Sequence, residues 1–162
     1  MQHLFAPWRF DYVSRADTTS DCIFCAAAAG EEGYLSLVRE DPVFALLNLY
    51  PYTSGHTMVA PVAHVSDLTQ VDDVTLAAMM RLASRVMTAL RSVYDPHAFN
   101  VGMNLGETAG AGIPEHLHLH IVPRWRGDTN FMTVTGDVRV IPEDLHATRA
   151  KLRAALAGGP HA

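Results

Sequence analysis

The sequence predicts an α+β domain built on an antiparallel β-sheet. Short strand-like segments follow one another in hairpin-like succession, the segment 72–94 has its apolar residues at helical spacing, and histidine alternates with leucine over 116–120. A succession of strands interrupted by one long helix is typical of this class. The 162 residues suit a single domain, 1–162, with an N-terminal arm at 1–20 and a C-terminal helix and tail at 143–162.

The first three strands are predicted before the long helix. The segment 34–48 contains two β-rich runs around a turn at 40–42, and a proline ends a third strand at 57–61. The intervening segment 50–55 is predicted to be a loop, because it is rich in proline, serine and glycine.

The longest helix is predicted over 72–94. Asp72 or Asp73 can cap its first turn, and Asp95 followed by Pro96 ends it. Its core-facing stripe is predicted from the apolar positions at helical spacing, which are Leu76, Met79, Met80, Ala83, Val86, Met87 and Leu90.

Two further strands and a last helix complete the prediction. The strands cover 98–104 and 116–122, and the glycine-rich segment 105–115 connects them. After Pro142, the segment 143–157 suits a helix, for which Gly158 is available as the C-terminal cap.

Composition and charge argue against several classes of function. The net charge of −5 lacks the basic footprint of nucleic-acid-binding proteins, and no apolar run approaches the roughly 18 residues of a membrane span. The N-terminus shows no basic region followed by an apolar run, so we expect no signal peptide, and two cysteines cannot supply a disulfide framework. We therefore expect a cytoplasmic protein without nucleic-acid or membrane partners.

The alternating histidines are the strongest indication of chemistry. On a strand, His116, His118 and His120 share one face because side chains alternate. A neutral imidazole can attack phosphorus and form a covalent intermediate, but His-x-His on a strand is also good geometry for a metal. Both interpretations are open at this point. The opposite face is predicted to enter the core with Leu117, Leu119 and Ile121.

A glycine-rich turn precedes the histidines. Gly106, Gly110 and Gly112 allow positive φ and let backbone N–H groups converge on an anion. A plain hairpin connection would have a similar composition, but the neighbouring imidazoles favour a phosphate-binding turn.

The two cysteines have the spacing of half a zinc site. Cys22 and Cys25 could also be a redox pair or two buried thiols. Because the chain has no second C-x-x-C, a zinc ion would take its other ligands from histidines, such as His56, His64 or His116.

Three segments resemble the histidine triad (HIT) family of nucleotide-binding proteins. The His-Leu-His-Leu-His-Ile-Val run at 116–122, followed by Pro-Arg, resembles the family motif. The segment 48–61 resembles its N-x-x-P…G-H-x-x-V-x-P sequence, and 100–106 with the following glycines resembles its phosphate loop. Segments 6–12 and 124–131 are similar to a narrower bacterial branch of diadenosine tetraphosphate phosphorylases, related to fragile-histidine-triad proteins.

The resemblance implies a HIT-like antiparallel sheet with one long central helix and a C-terminal helix, and it implies catalytic roles. His118 would be the nucleophile on the α-phosphate, and His120 would contact phosphate oxygens. Asn104 would hydrogen-bond the phosphate or the bridging oxygen, and His56 would support the pocket.

The resemblance also implies binding residues and a metal. Asn48 would hold the ribose, and the backbone N–H groups of Gly110, Ala111 and Gly112 would bind phosphate together with His120. Relatives with an early C-x-x-C bind structural zinc, for which the ligands here would be Cys22, Cys25, His64 and His116. No organic cofactor is expected.

The implied activity is cleavage of a dinucleoside polyphosphate such as diadenosine tetraphosphate. A nucleotidyl–His118 intermediate would be resolved by phosphate to ADP or by water to AMP. The phosphorolytic relatives read G-G-S where this chain has Gly110-Ala111-Gly112, so both acceptors stay open. The alternatives are hydrolysis of nucleoside phosphoramidates and nucleotide sensing with incidental turnover. The expected partners are a purine nucleotide and, as in HIT relatives, a second copy in a homodimer.

Overall fold

A five-stranded antiparallel sheet forms the centre of the fold. The computed structural model describes residues 22–30, 34–128 and 143–158. The strand order is β1-β2-β3-β5-β4. The strands are β1 (Ser36–Glu40), β2 (Val43–Leu47), β3 (Thr57–Pro61), β4 (Ala98–Gly102) and β5 (Leu119–Arg124).

Helices cover both faces of the sheet. They are α1 (Ile23–Ala29), α2 (Asp73–Tyr94) and α3 (Leu145–Gly158). Every residue of β2 and β3 is buried, because alternate side chains enter two different apolar clusters. The larger cluster lies under α2 and α3, and the smaller one lies under α1. No helix in the described ranges is long and apolar enough to cross a membrane.

The long helix begins and ends where it was predicted to. The Asp72 side chain accepts a hydrogen bond from the Thr75 N–H (2.8 Å), so Asp72 is the cap rather than Asp73. Asp95 follows the helix in the left-handed region with φ 44°.

The prediction of which α2 side chains face the core was partly wrong. Met80 is 57% exposed, because it lies about 100° around the helix from the buried Met79. Leu76 and Met87 are only partly buried. The side chains that face the core without having been predicted are Thr75, Leu82 and Ala89.

Two other boundaries differ from prediction, and one helix was not predicted. The strand predicted at 98–104 ends at Gly102. The last helix begins at Leu145 rather than 143, because the Asp144 carboxylate accepts hydrogen bonds from the N–H groups of His146 and Ala147. Helix α1, at Ile23–Ala29, was not predicted.

The histidine strand is displaced from its predicted span of 116–122. The β3–β5 ladder pairs Thr57 with Ile121 and Val59 with Leu119, which would place Pro61 opposite Leu117. Proline has no N–H to donate, and the Leu117 N–H donates instead to the Val65 carbonyl (2.6 Å). The side-chain alternation nevertheless continues, and the aliphatic side chains enter the core as predicted, namely Leu117, Leu119 and Ile121.

Candidate functional site

Strand pairing brings two histidines together on the α1 side of the sheet. His56 directly precedes β3, and His120 lies in β5 opposite Met58. Because 56, 58 and 120 face the same side, the two imidazoles meet across the ladder, with 3.0 Å between His56 Nε2 and His120 Nδ1. Both rings also contact the ring of Tyr52.

A chain of hydrogen bonds determines which nitrogen of His120 carries the proton. The Tyr52 backbone N–H can only donate, so His56 Nδ1 accepts from it (3.1 Å). A neutral His56 therefore carries its proton on Nε2 and donates to His120 Nδ1. It follows that a neutral His120 carries its own proton on Nε2 and is a hydrogen-bond donor there.

His118 has the opposite tautomer. Its Nδ1 lies 2.7 Å from the carbonyl oxygen of His116, and because a carbonyl can only accept, Nδ1 carries the proton. Its Nε2 therefore holds a free electron pair. The rings of His118 and His120 meet edge to face, with 4.8 Å between centroids. The pair thus combines one nucleophilic nitrogen with one N–H donor.

Burial keeps these imidazoles neutral. Burial, reinforced by His120 and His118, lowers the pKa of His56 to about 3. Burial and the neighbouring His118 lower the pKa of His120 to about 4. Burial also lowers the pKa of His118, although the hydrogen bond to the His116 carbonyl opposes this shift. At neutral pH all three rings are therefore uncharged.

The glycine-rich turn before the histidines is closed by its own backbone. Gly106 and Gly110 have φ of 81° and 91°, a conformation that favours glycine. The Gly110 N–H donates to the Glu107 carbonyl (2.8 Å), and the Ala111 N–H makes a longer bond to the Gly106 carbonyl (3.4 Å). The Asn104 side-chain amide reaches the Gly110 carbonyl at 3.5 Å. Asn104 and this turn therefore form one connected unit.

Hydrogen bonds and close packing fix the loop that precedes β3, residues 48–56. The Asn48 side chain accepts from the Tyr50 N–H (2.9 Å), while its backbone N–H donates to the His56 carbonyl (2.9 Å). Gly55 has φ 77°, and a Cβ there would lie 2.7 Å from Leu90 Cδ2. Only glycine lets α2 pack this closely beneath His56.

A second group of side chains has the donor set of a metal centre. Cys22 and Cys25 flank the first turn of α1, while His64 follows β3 and His116 precedes β5. One ligand atom from each residue lies within 4.8 Å of all the others. Two of the separations are 3.3 Å each, from Cys22 Sγ to His116 Nδ1 and from Cys25 Sγ to His64 Nδ1.

The surroundings of this cluster suit a tetrahedral cation. His116 Nε2 donates to the Pro61 carbonyl (2.9 Å), so its Nδ1 presents a free electron pair to the thiols. Burial and the neighbouring Cys22 raise the pKa of Cys25. Two thiolates at this site are therefore stable only when a positive charge lies beside them. Two thiolates and two imidazoles are the ligands that Zn²⁺ prefers in structural sites.

Comparison with known proteins identifies the family. The HIT domain family matches residues 31–127. The chain belongs to the HIT family. A HIT relative, the AP-4-A phosphorylase of Mycobacterium tuberculosis, is 41% identical over 99% of this chain and 87% of that protein. An uncharacterised HIT-like protein of the same organism is 35% identical over 84% of this chain and 93% of its own length.

A solved HIT structure has the same fold. The zinc-bound histidine triad family protein of Mycobacterium smegmatis superimposes with a TM-score of 0.71 at 33% identity, covering 85% of this chain and 94% of that one. The family and the α+β fold expected from the sequence are therefore confirmed. Two segments, 6–12 and 124–131, resembled a bacterial branch of the HIT family; the first, and residues 129–131 of the second, lie outside the described residues.

The HIT motifs fold into two neighbouring groups. The imidazole pocket contains His56, His118 and His120, and the four predicted metal ligands form the second group.

Three contributors to the two groups were not predicted. Phe24 stacks on His116 and His118, the Tyr52 backbone orients His56, and the Pro61 carbonyl orients His116. For these contributors the sequence offered one signal, which is the position of Phe24 between the two cysteines. The backbone donor and acceptor could not be predicted, because hydrogen bonds of backbone groups do not depend on the type of side chain.

Proposed function

We propose that this HIT protein cleaves dinucleoside polyphosphates of the diadenosine tetraphosphate type, with inorganic phosphate as the acceptor. The observation that carries the proposal is the pair of neighbouring neutral imidazoles in opposite tautomers, His118 with a free Nε2 and His120 with an Nε2–H. Support also comes from the similarity to the AP-4-A phosphorylase of Mycobacterium tuberculosis, which is 41% identical.

In the first step His118 Nε2 attacks the α-phosphorus. A phosphorus–nitrogen bond forms, the bond from that phosphorus to the bridging oxygen breaks, and ATP leaves with the electron pair of that oxygen. His118 can attack without first losing a proton, because its proton is on Nδ1 and is donated to the His116 carbonyl. That hydrogen bond also stabilises the positive charge that develops on the ring.

His120 and Asn104 act on the phosphate oxygens. The Nε2–H of His120 donates to an oxygen whose negative charge grows during attack, which lowers the barrier. His56 keeps this proton in place by donating to the other nitrogen of His120. Asn104, bonded to the Gly110 carbonyl, holds the turn 110–112 against the phosphate chain. Asn48, beside His56, is proposed to hold the ribose.

In the second step inorganic phosphate attacks the nucleotidyl–His118 bond. A phosphate oxygen bonds to the α-phosphorus, the phosphorus–nitrogen bond breaks, and ADP leaves while His118 recovers its free electron pair. Gly112 offers no hydroxyl to this phosphate. Because the N–H groups of Gly110 and Ala111 bond within the turn, the proposal assigns binding of the incoming phosphate to the Gly112 N–H and to His120. Where water takes the place of phosphate, the product is AMP.

We also propose that the cluster of Cys22, Cys25, His64 and His116 holds a zinc ion. When bound, the ion cross-links α1 to the ends of β3 and β5. Its donor set and the oriented His116 support this assignment, as does the zinc-bound relative from Mycobacterium smegmatis. His116 is then a ligand and takes no direct part in the reaction.

A homodimer is proposed as well. The family resemblance suggests it, and β4 lies at the edge of the sheet with Val101 43% exposed. Light scattering after size-exclusion chromatography measures the mass, and a monomer at micromolar concentration contradicts the proposal.

The test is product analysis with purified protein and diadenosine tetraphosphate, with and without inorganic phosphate. We expect ADP and ATP in equal amounts, only when phosphate is present. AMP and ATP in both conditions would mean that the enzyme is a hydrolase. Absence of cleavage in both would contradict the proposed substrate and direct the test to nucleoside phosphoramidates.

A further inference from the structure

Helix α1 is short and depends on its attachments. It has seven residues, and its N-cap, Cys22, makes no side-chain capping hydrogen bond. A helix of this length is not stable alone in water. Its end is attached to the sheet by the Ser36 hydroxyl, which donates to the Ala27 carbonyl (3.0 Å), and by Arg39, which donates to the Ala28 carbonyl. Its beginning is attached through the metal-ligand cluster.

Phe24 lies on α1 between the two cysteines and contacts the proposed nucleophile. Its side chain is 1% exposed, and its ring stacks on His118 with 4.7 Å between centroids and 25° between planes. The same ring stacks on His116 at 5.0 Å and 29°. Phe24 therefore covers one face of the ring whose Nε2 attacks phosphorus.

Besides the edge-to-face contact with His120, two contacts define the orientation of His118, and both of these depend on the cluster. The first is the hydrogen bond from Nδ1 to the carbonyl of His116, which is itself one of the four ligands. The second is the stacked ring of Phe24, which the flanking cysteines hold at the start of α1. An imidazole confined at one edge and one face has little freedom to rotate about χ2.

The surrounding apolar cluster extends this support to the glycine-rich turn. Phe24 packs with Phe44 and Met58 of the sheet, and Ile113, just after the turn, packs against the same cluster. The metal-ligand cluster, His118 and the glycine-rich turn are therefore all in contact with one apolar cluster.

We propose that Phe24 is a positioning residue that transmits the order of the metal-ligand cluster to His118. The proposal rests on the proposed function. With zinc bound, α1 is held, Phe24 keeps the His118 ring in its attacking orientation, and Nε2 stays directed into the pocket. Without the cluster, the ring gains rotational freedom even though all residues of the imidazole pocket are present.

The test compares Phe24→Leu with Phe44→Leu. Both phenylalanines are 1% exposed and belong to the same apolar cluster, so the two variants lose similar packing. Phe44 differs because its ring meets only the edge of His116, at 6.5 Å, and in the described residues makes no ring contact with His118. We expect kcat to fall roughly 10- to 100-fold in Phe24→Leu and less than about threefold in Phe44→Leu, with KM and zinc content unchanged in both.

A spectroscopic measurement tests the same proposal without turnover. Long-range ¹⁵N–¹H correlation spectra report which nitrogen of His118 carries the proton. We expect a single Nδ1–H tautomer in the zinc-loaded protein and in Phe44→Leu. Mixed or broadened tautomer signals are expected in Phe24→Leu and in Cys22→Ser/Cys25→Ser.

Equal kcat values in the two phenylalanine variants, or an unchanged His118 tautomer in both Phe24→Leu and the cysteine variant, would overturn the positioning role. Failure of the proposed function has a different signature, because the wild-type protein would then not cleave dinucleoside polyphosphates while the spectra still answer the positioning question.

Discussion

His116 and His118 are two residues apart, on one face of the chain and under the same phenylalanine ring, but they are oriented for different tasks. His116 donates from Nε2 to the Pro61 carbonyl and presents Nδ1 to the cysteines. His118 donates from Nδ1 to the His116 carbonyl and presents Nε2 to the pocket. The position of one carbonyl oxygen therefore decides whether an imidazole is arranged as a metal ligand or as a nucleophile.

The comparison also shows that the two groups are not independent. The carbonyl that orients His118 belongs to His116, and Phe24 stacks on both rings. Substitutions at the two positions should nevertheless separate chemistry from metal binding, because their side chains present different nitrogens to different neighbours.

The largest expected effect is that of His118→Ala on turnover. Removing the proposed nucleophile should lower kcat by at least about 10³-fold, while nucleotide affinity changes little because the remaining pocket is intact. Steady-state product formation and calorimetric binding of a non-cleaved analogue measure the two quantities. Zinc content should equal that of the wild-type protein. Residual turnover within tenfold of wild type would rule out a covalent mechanism through this residue.

A smaller loss of turnover is expected for His56→Leu. His56 donates the hydrogen bond that directs the proton of His120 to Nε2, and leucine has no group that can donate in its place, so kcat should fall roughly 10- to 100-fold. The matched control is His146→Leu, which changes an exposed histidine on α3 and should leave kcat unchanged. Equal kcat values in the two variants would contradict the orienting role of His56.

The His116→Gln substitution should lower the zinc content and the stability of the protein. Losing one of the four proposed ligands should reduce the zinc bound per chain and lower the free energy of unfolding by about 2 kcal/mol, because binding at a structural site contributes to folding. For a domain of this size that is a decrease in Tm of about 4–8 °C. Mass spectrometry of the metal and thermal unfolding measure the outcome. Full zinc content in this variant would remove His116 from the ligand set.

The smallest effect is a pH dependence of stability that arises from the imidazole pocket. The pKa values of His56 and His120 in the fold are about 3 and about 4, below the ordinary value of 6.5. Between pH 6.5 and about 4 the unfolded chain therefore binds protons that the folded chain does not. Stability from these groups is complete above pH 6.5 and is lost as the pH falls.

Urea unfolding midpoints at pH 7, 6 and 5 measure this loss. The decrease should be smaller in His56→Leu than in the wild type, and taking the difference cancels any contribution from acid release of zinc, which affects both proteins. Identical pH slopes in the two proteins would mean that His56 does not contribute.

The spacing of apolar residues and the residue composition were enough to predict much of the fold. Alternation placed Leu117, Leu119 and Ile121 in the core, and cap residues located both ends of the long helix. The stripe of that helix was less certain, because Met79 and Met80 are equally apolar in sequence and only the packed sheet decides which of them is buried. Helix α1 was missed because its stability comes from tertiary contacts, not from local propensity.

The sequence by itself determined the family, the fold class and the candidate site residues, because motif spacing and side-chain type are local properties. Only the tertiary structure decided what each imidazole can do. The tautomers of His56, His118 and His120 follow from backbone groups of Tyr52 and His116 that no side-chain pattern records. The stacking of Phe24 on His118 joins positions 94 residues apart, and such a contact exists only once the sheet and α1 have packed.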